Sequence, residues 1–350
     1  MSQEIKKINT AIIGVGAQGW LHAYKLKNYD KSNFVALCDL NEGLAIKVSR
    51  EFNVKYYVNY REMIEKEDIE AISVSTPDYA HRDPVVDCLD AGINVLVQKP
   101  FAMNFADAKD MAEAARRNNK LLITDYINRW NPEFYAMKQA IESGEIGEPR
   151  LFYFRGINSR YFPLGQKPGS CTWAEKTSLV GWLGSHFIDQ TLWLSASKVL
   201  KVYAVARKKV LKELGKDVND FYQIIIELES GAVSIISLDW IMPDNYYTWG
   251  DLRGEVIGSK GTMNCSLANE RNVVKCTEGS YKLIDPITLT KVRGKVNTFV
   301  TEVVEYFINC LAENKESFIT LEDGLECARV MAAIEKSAVE ERAVYLTEIV

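Results

Sequence analysis

The 350-residue sequence lacks any apolar run approaching the roughly 18 residues that a membrane-spanning helix requires. Its first residues are polar and charged, without the apolar centre of a signal peptide. Basic side chains are not in excess, since 42 lysines and arginines stand against 47 aspartates and glutamates. Such a balance gives no electrostatic footprint for nucleic acid. The sequence therefore predicts a cytoplasmic globular protein with neither a membrane nor a nucleic-acid partner.

Cysteine and histidine are also sparse or scattered. The seven cysteines are widely separated and include no Cys-x-x-Cys pair, which disfavours a disulfide framework and a zinc site. Only three histidines occur, and no internal repeat or low-complexity stretch is visible. We therefore expect buried thiols, no bound metal, and chemistry that depends on a few titratable side chains.

A glycine-rich turn near the start of the chain is the most informative feature that is present. It follows an apolar strand predicted over 8–15 and precedes a helix predicted over 18–28. In a dinucleotide-binding turn, Gly14 makes the tight bend, Gly16 lets the backbone approach a pyrophosphate, and Gly19 lets the helix pack closely on the strand. The first-turn N–H groups of that helix would face the phosphates.

A second strand, predicted over 34–38, ends in an acid twenty residues beyond the last of these glycines. A carboxylate there suits the adenosine ribose hydroxyls and repels a 2′-phosphate, so NAD is favoured over NADP. A turn or capping role is the alternative for this acid. The residues predicted to bind cofactor in this segment are Gly14, Gly16, Ala17, Gln18, Gly19 and Asp39.

Strands and helices then alternate up to about residue 125, the pattern of a doubly wound parallel sheet. Beyond it, alternating β-rich segments predict a largely antiparallel sheet, and two late helices close the chain. The predicted fold is therefore α/β: an N-terminal Rossmann domain over 1–125, and a C-terminal α+β domain over 126–350 with a large, mainly antiparallel open sheet. The second domain is expected to bind substrate and to form oligomers.

The chain resembles the glucose–fructose oxidoreductase, inositol dehydrogenase and MocA (Gfo/Idh/MocA) family over essentially its whole length, through several short motifs that occur in a characteristic order. The resemblance implies hydride transfer between nicotinamide and a hydroxyl carbon of a sugar, inositol or related polyol, in a homodimer or homotetramer. The motifs that carry it are the glycine-rich turn with Asp39, Ser75-Thr76-Pro77 followed by His81, Gln98-Lys99-Pro100, Asn128-Arg129-Trp130-Asn131-Pro132, Gly184-Ser185-His186-Phe187-Ile188-Asp189, and Asp323-Gly324-Leu325.

Lys99 follows a strand predicted over 94–97, and so lies at the carboxyl end of the sheet, where such folds hold ligands. The resemblance makes it a catalytic residue that hydrogen-bonds the substrate hydroxyl or assists proton transfer. Gln98 stands where the family motif has glutamate. Because an amide carries no charge, we expect a lower pKa for Lys99 than a neighbouring acid would give it. A solvated lysine beside a turn is the plainer interpretation.

His186 is the second predicted catalytic residue, on a helix predicted over 180–194. Imidazole exchanges protons near neutral pH and is suited to remove an alcohol proton as hydride departs. Asp189, one turn later, is placed to orient it. In an ungapped comparison, Trp182 occupies the position at which the family commonly has aspartate. Either a local shift supplies another carboxylate, or the site lacks the usual Lys-Asp-His arrangement and binds its substrate differently. A core or interface histidine is the alternative.

The resemblance also implies that further residues line the nicotinamide pocket or the domain junction. His81 is interpreted as cofactor-proximal or structural, and Arg129 as cofactor-binding or as part of a structural ion pair. Aromatic rings stack on sugar C–H surfaces, although a packing role is equally expected for each ring. The further cofactor residues are Ser75, Thr76, Pro77, His81, Gln98, Lys99 and Arg129, and the substrate residues are Lys99, Tyr161, Trp173, Trp182, His186 and Asp189.

Together these features predict an NAD-dependent oxidoreductase acting on CH–OH groups of a carbohydrate-like substrate. Two alternatives remain at this point. Tightly held NAD could oxidise the substrate transiently, to permit elimination or glycoside cleavage. The chain could instead be a dinucleotide-binding regulatory sensor without turnover, against which the presence of both Lys99 and His186 argues.

Overall fold

The computed structural model describes residues 6–166, 170–246, 250–266, 273–277, 280–284, 290–292 and 295–350. These residues form two compact units. The first comprises the described part of Met1–Tyr126 together with Thr301–Ala328, and the second comprises the described part of Ile127–Val300 together with Arg329–Val350. In the described ranges no helix combines the length and apolar character needed to cross a membrane.

The first unit alternates strands with helices. Its strands are β1 (Ile8–Ile13), β2 (Ser32–Cys38), β3 (Lys55–Tyr57), β4 (Ala71–Val74), β5 (Asn94–Val97) and β6 (Leu122–Thr124). Its helices before residue 126 are α1 (Ala17–Asn28), α2 (Glu42–Phe52), α3 (Tyr60–Lys66), α4 (Arg82–Asp90) and α5 (Phe105–Asn118).

All six strands pair in parallel in the order β3-β2-β1-β4-β5-β6. This order confirms the predicted doubly wound Rossmann sheet. All strands point the same way, but the strand order reverses between β1 and β4. The central strands are buried on both faces, which explains why they are continuous apolar runs rather than alternating ones. Local capping sets the helix starts: Asn41 accepts from the Leu44 N–H, and Asn104 accepts from the Asp107 N–H.

Residues 301–328 pack with the first unit, although the sequence interpretation assigned everything after 125 to one domain. Their helix α10 (Glu302–Ala312) carries two carboxylates, of Glu302 and Glu305, that each lie 3.0 Å from the Lys25 ammonium on α1. The first part of α11 (Leu321–Glu340) belongs to the same unit. Such contacts join residues 277 and 280 positions apart, and no local pattern in the sequence predicts them.

The second unit is built on a seven-stranded sheet in the order β12-β11-β7-β10-β9-β8-β17. Its strands are β7 (Pro149–Ser159), β8 (Val199–Arg207), β9 (Phe221–Leu228), β10 (Val233–Met242), β11 (Gly250–Gly258), β12 (Thr262–Ser266) and β17 (Val344–Tyr345). Two further strand pairs are β13 (Val273–Thr277) with β14 (Ser280–Ile284), and β15 (Thr290–Val292) with β16 (Lys295–Asn297).

The large sheet is mainly antiparallel, as predicted, but β7 and β10 run parallel in its middle. Along β10 every second residue is buried, so one face of the sheet packs on helices and the other is more exposed. The helices of this unit are α6 (Pro132–Glu142), the short α7 (Tyr161–Leu164), α8 (Ser185–Ser195), the short α9 (Val210–Glu213) and the end of α11.

Candidate active site

The glycine-rich loop joins β1 to α1 in the geometry that a dinucleotide fingerprint requires. Gly14 has φ of +87°, a backbone conformation that side chains disfavour. A Cβ on Gly19 would lie 1.9 Å from the Gly14 carbonyl oxygen, so only glycine permits this packing of helix on strand. A Cβ on Gly16 would meet nothing within 4 Å, which leaves open space beside the first turn of α1. The loop therefore fits a pyrophosphate approaching the helix N-terminus.

Asp39 follows β2 directly and contacts this loop. One carboxylate oxygen accepts from the Val15 N–H at 2.9 Å, and the other accepts from the Asn41 N–H at 2.8 Å. The acid thus has the turn role that was the alternative to ribose binding, and it also lies beside the glycine-rich loop. Carboxylate oxygens accept more than one hydrogen bond each, so these two bonds leave acceptor capacity for ribose hydroxyls.

The segment after β4 contains the predicted nicotinamide-lining residues. The Ser75 N–H donates to the Ile13 carbonyl at 2.7 Å, which continues the β1–β4 ladder by one residue. The Thr76 hydroxyl donates to the Ala80 carbonyl at 3.1 Å, and Pro77 precedes a single 3₁₀ turn. This places Ser75, Thr76 and Pro77 at the carboxyl end of the sheet, beside the glycine-rich loop.

Lys99 follows β5 at the same edge and is half-buried. The Gln98 N–H donates to the Val74 carbonyl at 2.9 Å, so the backbone remains tied to β4 up to the residue before Lys99. The Lys99–Pro100 peptide bond is cis. His81 is buried and lies 2.9 Å from the Pro100 carbonyl through Nδ1 and 3.1 Å from the Thr76 carbonyl through Nε2. His81 is therefore placed between the two loops that carry the predicted cofactor and substrate residues.

A polar cluster that the sequence analysis missed lies beneath this edge. It consists of His22 on α1, Ser73 on β4, Gln98, and Asp125 directly after β6, all of them buried. The Gln98 amide donates to the Asp125 carboxylate, and His22 contacts Ser73, Gln98 and Asp125. The available signal was a set of polar residues within otherwise apolar elements, such as Ser73 in a four-residue buried strand.

His186 lies in the second unit on α8 and is half-buried. The expected single α-helix over 180–194 is interrupted, because Val180–Gly184 forms a π-helical turn and α8 begins only at Ser185. Trp182 therefore lies on a wider turn and not one α-helical turn before His186. Single π turns of this kind frequently accompany functional sites.

Trp182 belongs to a run of aromatic rings in the second unit. Its ring centroid lies 6.0 Å from that of Trp173 and 6.5 Å from that of Trp240, with interplanar angles of 67° and 62°. These are edge-to-face arrangements, which stabilise packing. The Tyr161 ring stacks on Phe162 at 4.5 Å. Substrate contact by Tyr161, Trp173 and Trp182 stays a prediction.

Arg129 and Asp189 form an ion pair with 2% of each side chain exposed. Arg129 Nη2 donates to Asp189 Oδ1 at 2.7 Å, and its Nε lies 3.2 and 3.3 Å from the two carboxylate oxygens. The Arg129 guanidinium also lies 5.9 Å from the ring centroid of Trp193. The structural alternative for Arg129 is thus observed, and its cofactor role and the substrate role of Asp189 stay predictions.

This combination defines a class: a dinucleotide-binding oxidoreductase with a Rossmann unit and a separate mixed-sheet unit. Residues 8–126 match the profile described as "Oxidoreductase family, NAD-binding Rossmann fold", and residues 134–264 match the "GFO/IDH/MocA C-terminal domain". The chain belongs to the Gfo/Idh/MocA family, as the sequence motifs indicated, and is an NAD-binding oxidoreductase.

Known proteins of similar sequence and fold match nearly the whole length of the chain. The chain is 27% identical to myo-inositol 2-dehydrogenase of Thermotoga maritima, covering 97% of this chain and 98% of that protein. It is 25% identical to D-apiose dehydrogenase of Paraburkholderia graminis, over 98% and 90% of the two chains. The crystal structure of Lactobacillus casei scyllo-inositol dehydrogenase with bound NAD(H) and scyllo-inositol superposes with a TM-score of 0.79 at 19% identity, covering 98% and 100%.

Proposed function

We propose that this protein transfers a hydride between NAD and a hydroxyl-bearing carbon of a sugar, inositol or related polyol. The observation that supports it most is the carboxyl edge of the Rossmann sheet. There the glycine-rich loop, Asp39, the Ser75–Pro77 segment and Lys99 occupy the ends of neighbouring parallel strands. Ligands of doubly wound sheets bind at this edge, where the strand order reverses. When bound, NAD supplies a ring carbon that accepts the hydride.

Lys99 has the chemistry to stabilise the substrate oxygen during this transfer. Its ammonium can donate to the hydroxyl oxygen and offset the negative charge that develops as the hydrogen leaves carbon. The half-buried position of Lys99 limits the competing hydration of the charge, and the fixed backbone on either side of it restricts where the side chain can reach. Preset position of this kind strengthens electrostatic stabilisation, since little reorganisation is then required.

His186 is the residue we assign to the hydroxyl proton. Neutral imidazole accepts a proton from an alcohol and later releases it to water, which a carboxylate or an ammonium does less well near neutral pH. The π-helical turn that precedes α8 gives this histidine a setting unlike that of an ordinary helical residue. Lys99 would then hold the oxygen while His186 takes the proton.

The substrate class rests on relatives as well as on the site. The relatives named above act, by their names, on inositols and on D-apiose, which are polyhydroxylated molecules with several carbinol carbons. Trp173, Trp182 and Tyr161 provide aromatic faces of the kind that stack on sugar C–H groups. We therefore propose a carbohydrate-like polyol as substrate, with NAD favoured over NADP because Asp39 would repel a 2′-phosphate.

The test is absorbance at the reduced-nicotinamide band, with NAD and NADP tried separately against inositols, aldoses and sugar acids. NADH formation with a polyol, and less with NADP, is the expected result. NAD binding without NADH formation across the panel, but with release of an altered product, would replace net oxidation by transient oxidation. Binding without any product would leave the regulatory interpretation and refute the enzymatic one.

We further propose a cytoplasmic homodimer or homotetramer formed through the outer face of the seven-stranded sheet. That face exposes large side chains, with Tyr153 36%, Tyr203 40% and Ile225 41% accessible. Exposed apolar faces of this kind are often covered by a partner. Light scattering after size-exclusion chromatography should give two or four chains, and Ile225→Glu should reduce the mass. Cell fractionation tests the compartment.

A further inference from the structure

The buried cluster beneath Lys99 contains an ionisable acid whose surroundings are unusual. Asp125 is 1% exposed and His22 is 0% exposed, and the Gln98 side chain between them belongs to a residue that is 7% exposed. Among the residues that the structure describes, Asp125 Oδ1 has no hydrogen-bond partner. Burying a carboxylate is energetically costly unless hydrogen-bond partners compensate for the lost hydration, so the groups around its other oxygen must do so.

Two groups surround Asp125 Oδ2. The Gln98 side-chain amide donates to it, and His22 Nε2 lies 3.2 Å away. The same amide nitrogen lies 3.0 Å from His22 Nε2, so the three side chains form a closed triangle. On its other side the imidazole Nδ1 lies 2.8 Å from the Ser73 hydroxyl, which lies 3.3 Å from the Ser75 hydroxyl. Helix α1, strand β4 and the ends of β5 and β6 are thereby linked through one buried carboxylate and the imidazole beside it.

This triangle is specific for an amide at position 98. A glutamate there would place a second carboxylate against Asp125, and two adjacent buried carboxylates cannot both ionise without a large penalty. An amide instead supplies the hydrogen that the carboxylate lacks. Gln98 and Asp125 are therefore a matched pair, in which the one negative charge resides at the end of β6 and the donor at the end of β5.

The pair also fixes the backbone from which Lys99 projects. The Asp125 N–H donates to the Val97 carbonyl at 2.8 Å, and the Gln98 N–H donates to the Val74 carbonyl at 2.9 Å. With its side chain held as well, Gln98 is restrained by β4, β6 and α1, and Lys99 is the next residue along the chain. A rigid support directly before a reacting group is what keeps that group in a productive position.

We propose that Asp125 is a positioning residue for Lys99, acting through the Gln98 amide and with His22 as the second partner of its carboxylate. The inference rests on the proposed function in so far as Lys99 is the catalytic lysine. It does not require knowledge of which polyol is oxidised.

A charge exchange tests the pairing. The variants are Asp125→Asn, Gln98→Glu and the double variant Gln98→Glu/Asp125→Asn, in the full-length chain. Asp125→Asn removes the carboxylate, and Gln98→Glu places two carboxylates against each other. The double variant again has one carboxylate and one amide, but the amide donor is then at position 125 and the carboxylate at position 98. Asp30→Asn, at an exposed residue, is the matched control. Thermal unfolding shows which variants fold, and Lys99→Met tests the role of the lysine separately.

Two measurements are made on each folded variant: kcat with NAD and a polyol substrate, and the rate at which Lys99 is acetylated relative to exposed Lys47, by mass spectrometry. We expect each single variant to lower kcat by about 10- to 100-fold, the scale of a displacement near 1 Å. The Lys99 acetylation rate should change together with kcat, while the Kd for NAD changes far less. The double variant should recover most of the native kcat and most of the native Lys99 acetylation rate. Asp30→Asn should match the unmodified protein in both measurements.

The outcomes separate this inference from the proposed function. Native kcat and native Lys99 acetylation in both single variants would overturn it, and so would a folded double variant that recovers neither. If the single variants do not fold, the double variant alone decides by the same criteria. If the unmodified protein oxidises no polyol, the proposed function fails; if Lys99→Met retains full turnover, only the catalytic role of Lys99 fails. In either case, Lys99 acetylation in the unmodified protein, the two single variants and the double variant still decides whether Asp125 positions Lys99.

Discussion

His81 Nδ1 lies 2.9 Å from the carbonyl oxygen of Pro100, the residue that directly follows Lys99. Its other nitrogen faces the Thr76 carbonyl at 3.1 Å. Burial lowers the pKa of His81, against the opposing effects of Asp78 and the carbonyl contacts. A neutral imidazole carries one N–H and donates from one nitrogen at a time. One buried imidazole thus holds the loop after β4 and the loop after β5 together.

His81→Asn should destabilise the protein because a shorter side chain cannot reach both carbonyls. We expect a loss of about 1–3 kcal/mol in the free energy of unfolding, the cost of leaving buried polar groups unsatisfied. Urea denaturation with and without NAD measures it. His81→Gln, which is longer and keeps an amide donor, should lose less, and native stability in both variants would contradict the role of His81 as a link.

His186→Ala should lower kcat by about 10²- to 10⁴-fold, the usual contribution of a positioned acid–base group. The Kd for NAD should stay close to its native value, because the proposed pyrophosphate and ribose contacts come from the glycine-rich loop and Asp39. Steady-state kinetics and calorimetric titration of NAD provide the two numbers. His186→Asn, similar in size, distinguishes proton transfer from packing, and unchanged turnover in both would refute the assignment.

Asp39→Asn should weaken the preference for NAD. The amide keeps one acceptor oxygen for the Val15 and Asn41 N–H groups but removes the charge that repels a 2′-phosphate. Hydrogen bonds to charged groups contribute about 1.5–3 kcal/mol, so the NADP-to-NAD ratio of kcat/KM should rise about 10- to 100-fold. An unchanged ratio with unchanged NAD affinity would leave Asp39 with a role in the turn only.

Asp189→Asn should reduce stability more than it alters substrate binding, because Asp189 is the buried partner of Arg129. Removing one member of a buried ion pair costs about 3–5 kcal/mol. The double variant Arg129→Met/Asp189→Leu, which leaves no unpaired charge, should lose less. Denaturation midpoints measure both, and a large rise in the KM for the polyol at native stability would favour direct substrate contact instead.

Glu335→Gln should remove a loss of folding stability that the native protein shows as the pH rises. Burial raises the pKa of Glu335, whose carboxylate accepts from the Tyr222 hydroxyl at 2.7 Å. An acid whose folded pKa is raised favours the fold below its unfolded pKa, near 4.3, and loses that stability as pH rises through the folded pKa. The melting temperature of the variant relative to the native protein should therefore increase from pH 4 to 7. A constant difference would contradict the raised pKa.

Many elements of the first unit follow from local sequence. The strand at Asn94–Val97 has the predicted bounds, and the helices at Glu42–Phe52 and Phe105–Asn118 belong to the predicted alternation of strands and helices. Their limits are set by nearby groups: asparagine caps begin the two helices, and short apolar runs between turns make the buried strands. The glycine-rich turn likewise needs only its own residues, because φ at Gly14 and the close approach at Gly19 are local requirements.

The order of the chain's motifs indicated the family. The sequence by itself also determined the doubly wound sheet, the position of Lys99 at the end of one of its strands and the position of His186 on a later helix, because periodicity and turn chemistry act over a few residues. Tertiary structure decided the rest. The parallel pairing of β7 with β10, the packing of 301–328 with the first unit, and the meeting of His22, Gln98 and Asp125 all join distant residues. Such contacts depend on how whole elements pack, and a single sequence carries no local signal of which distant strand ends will adjoin.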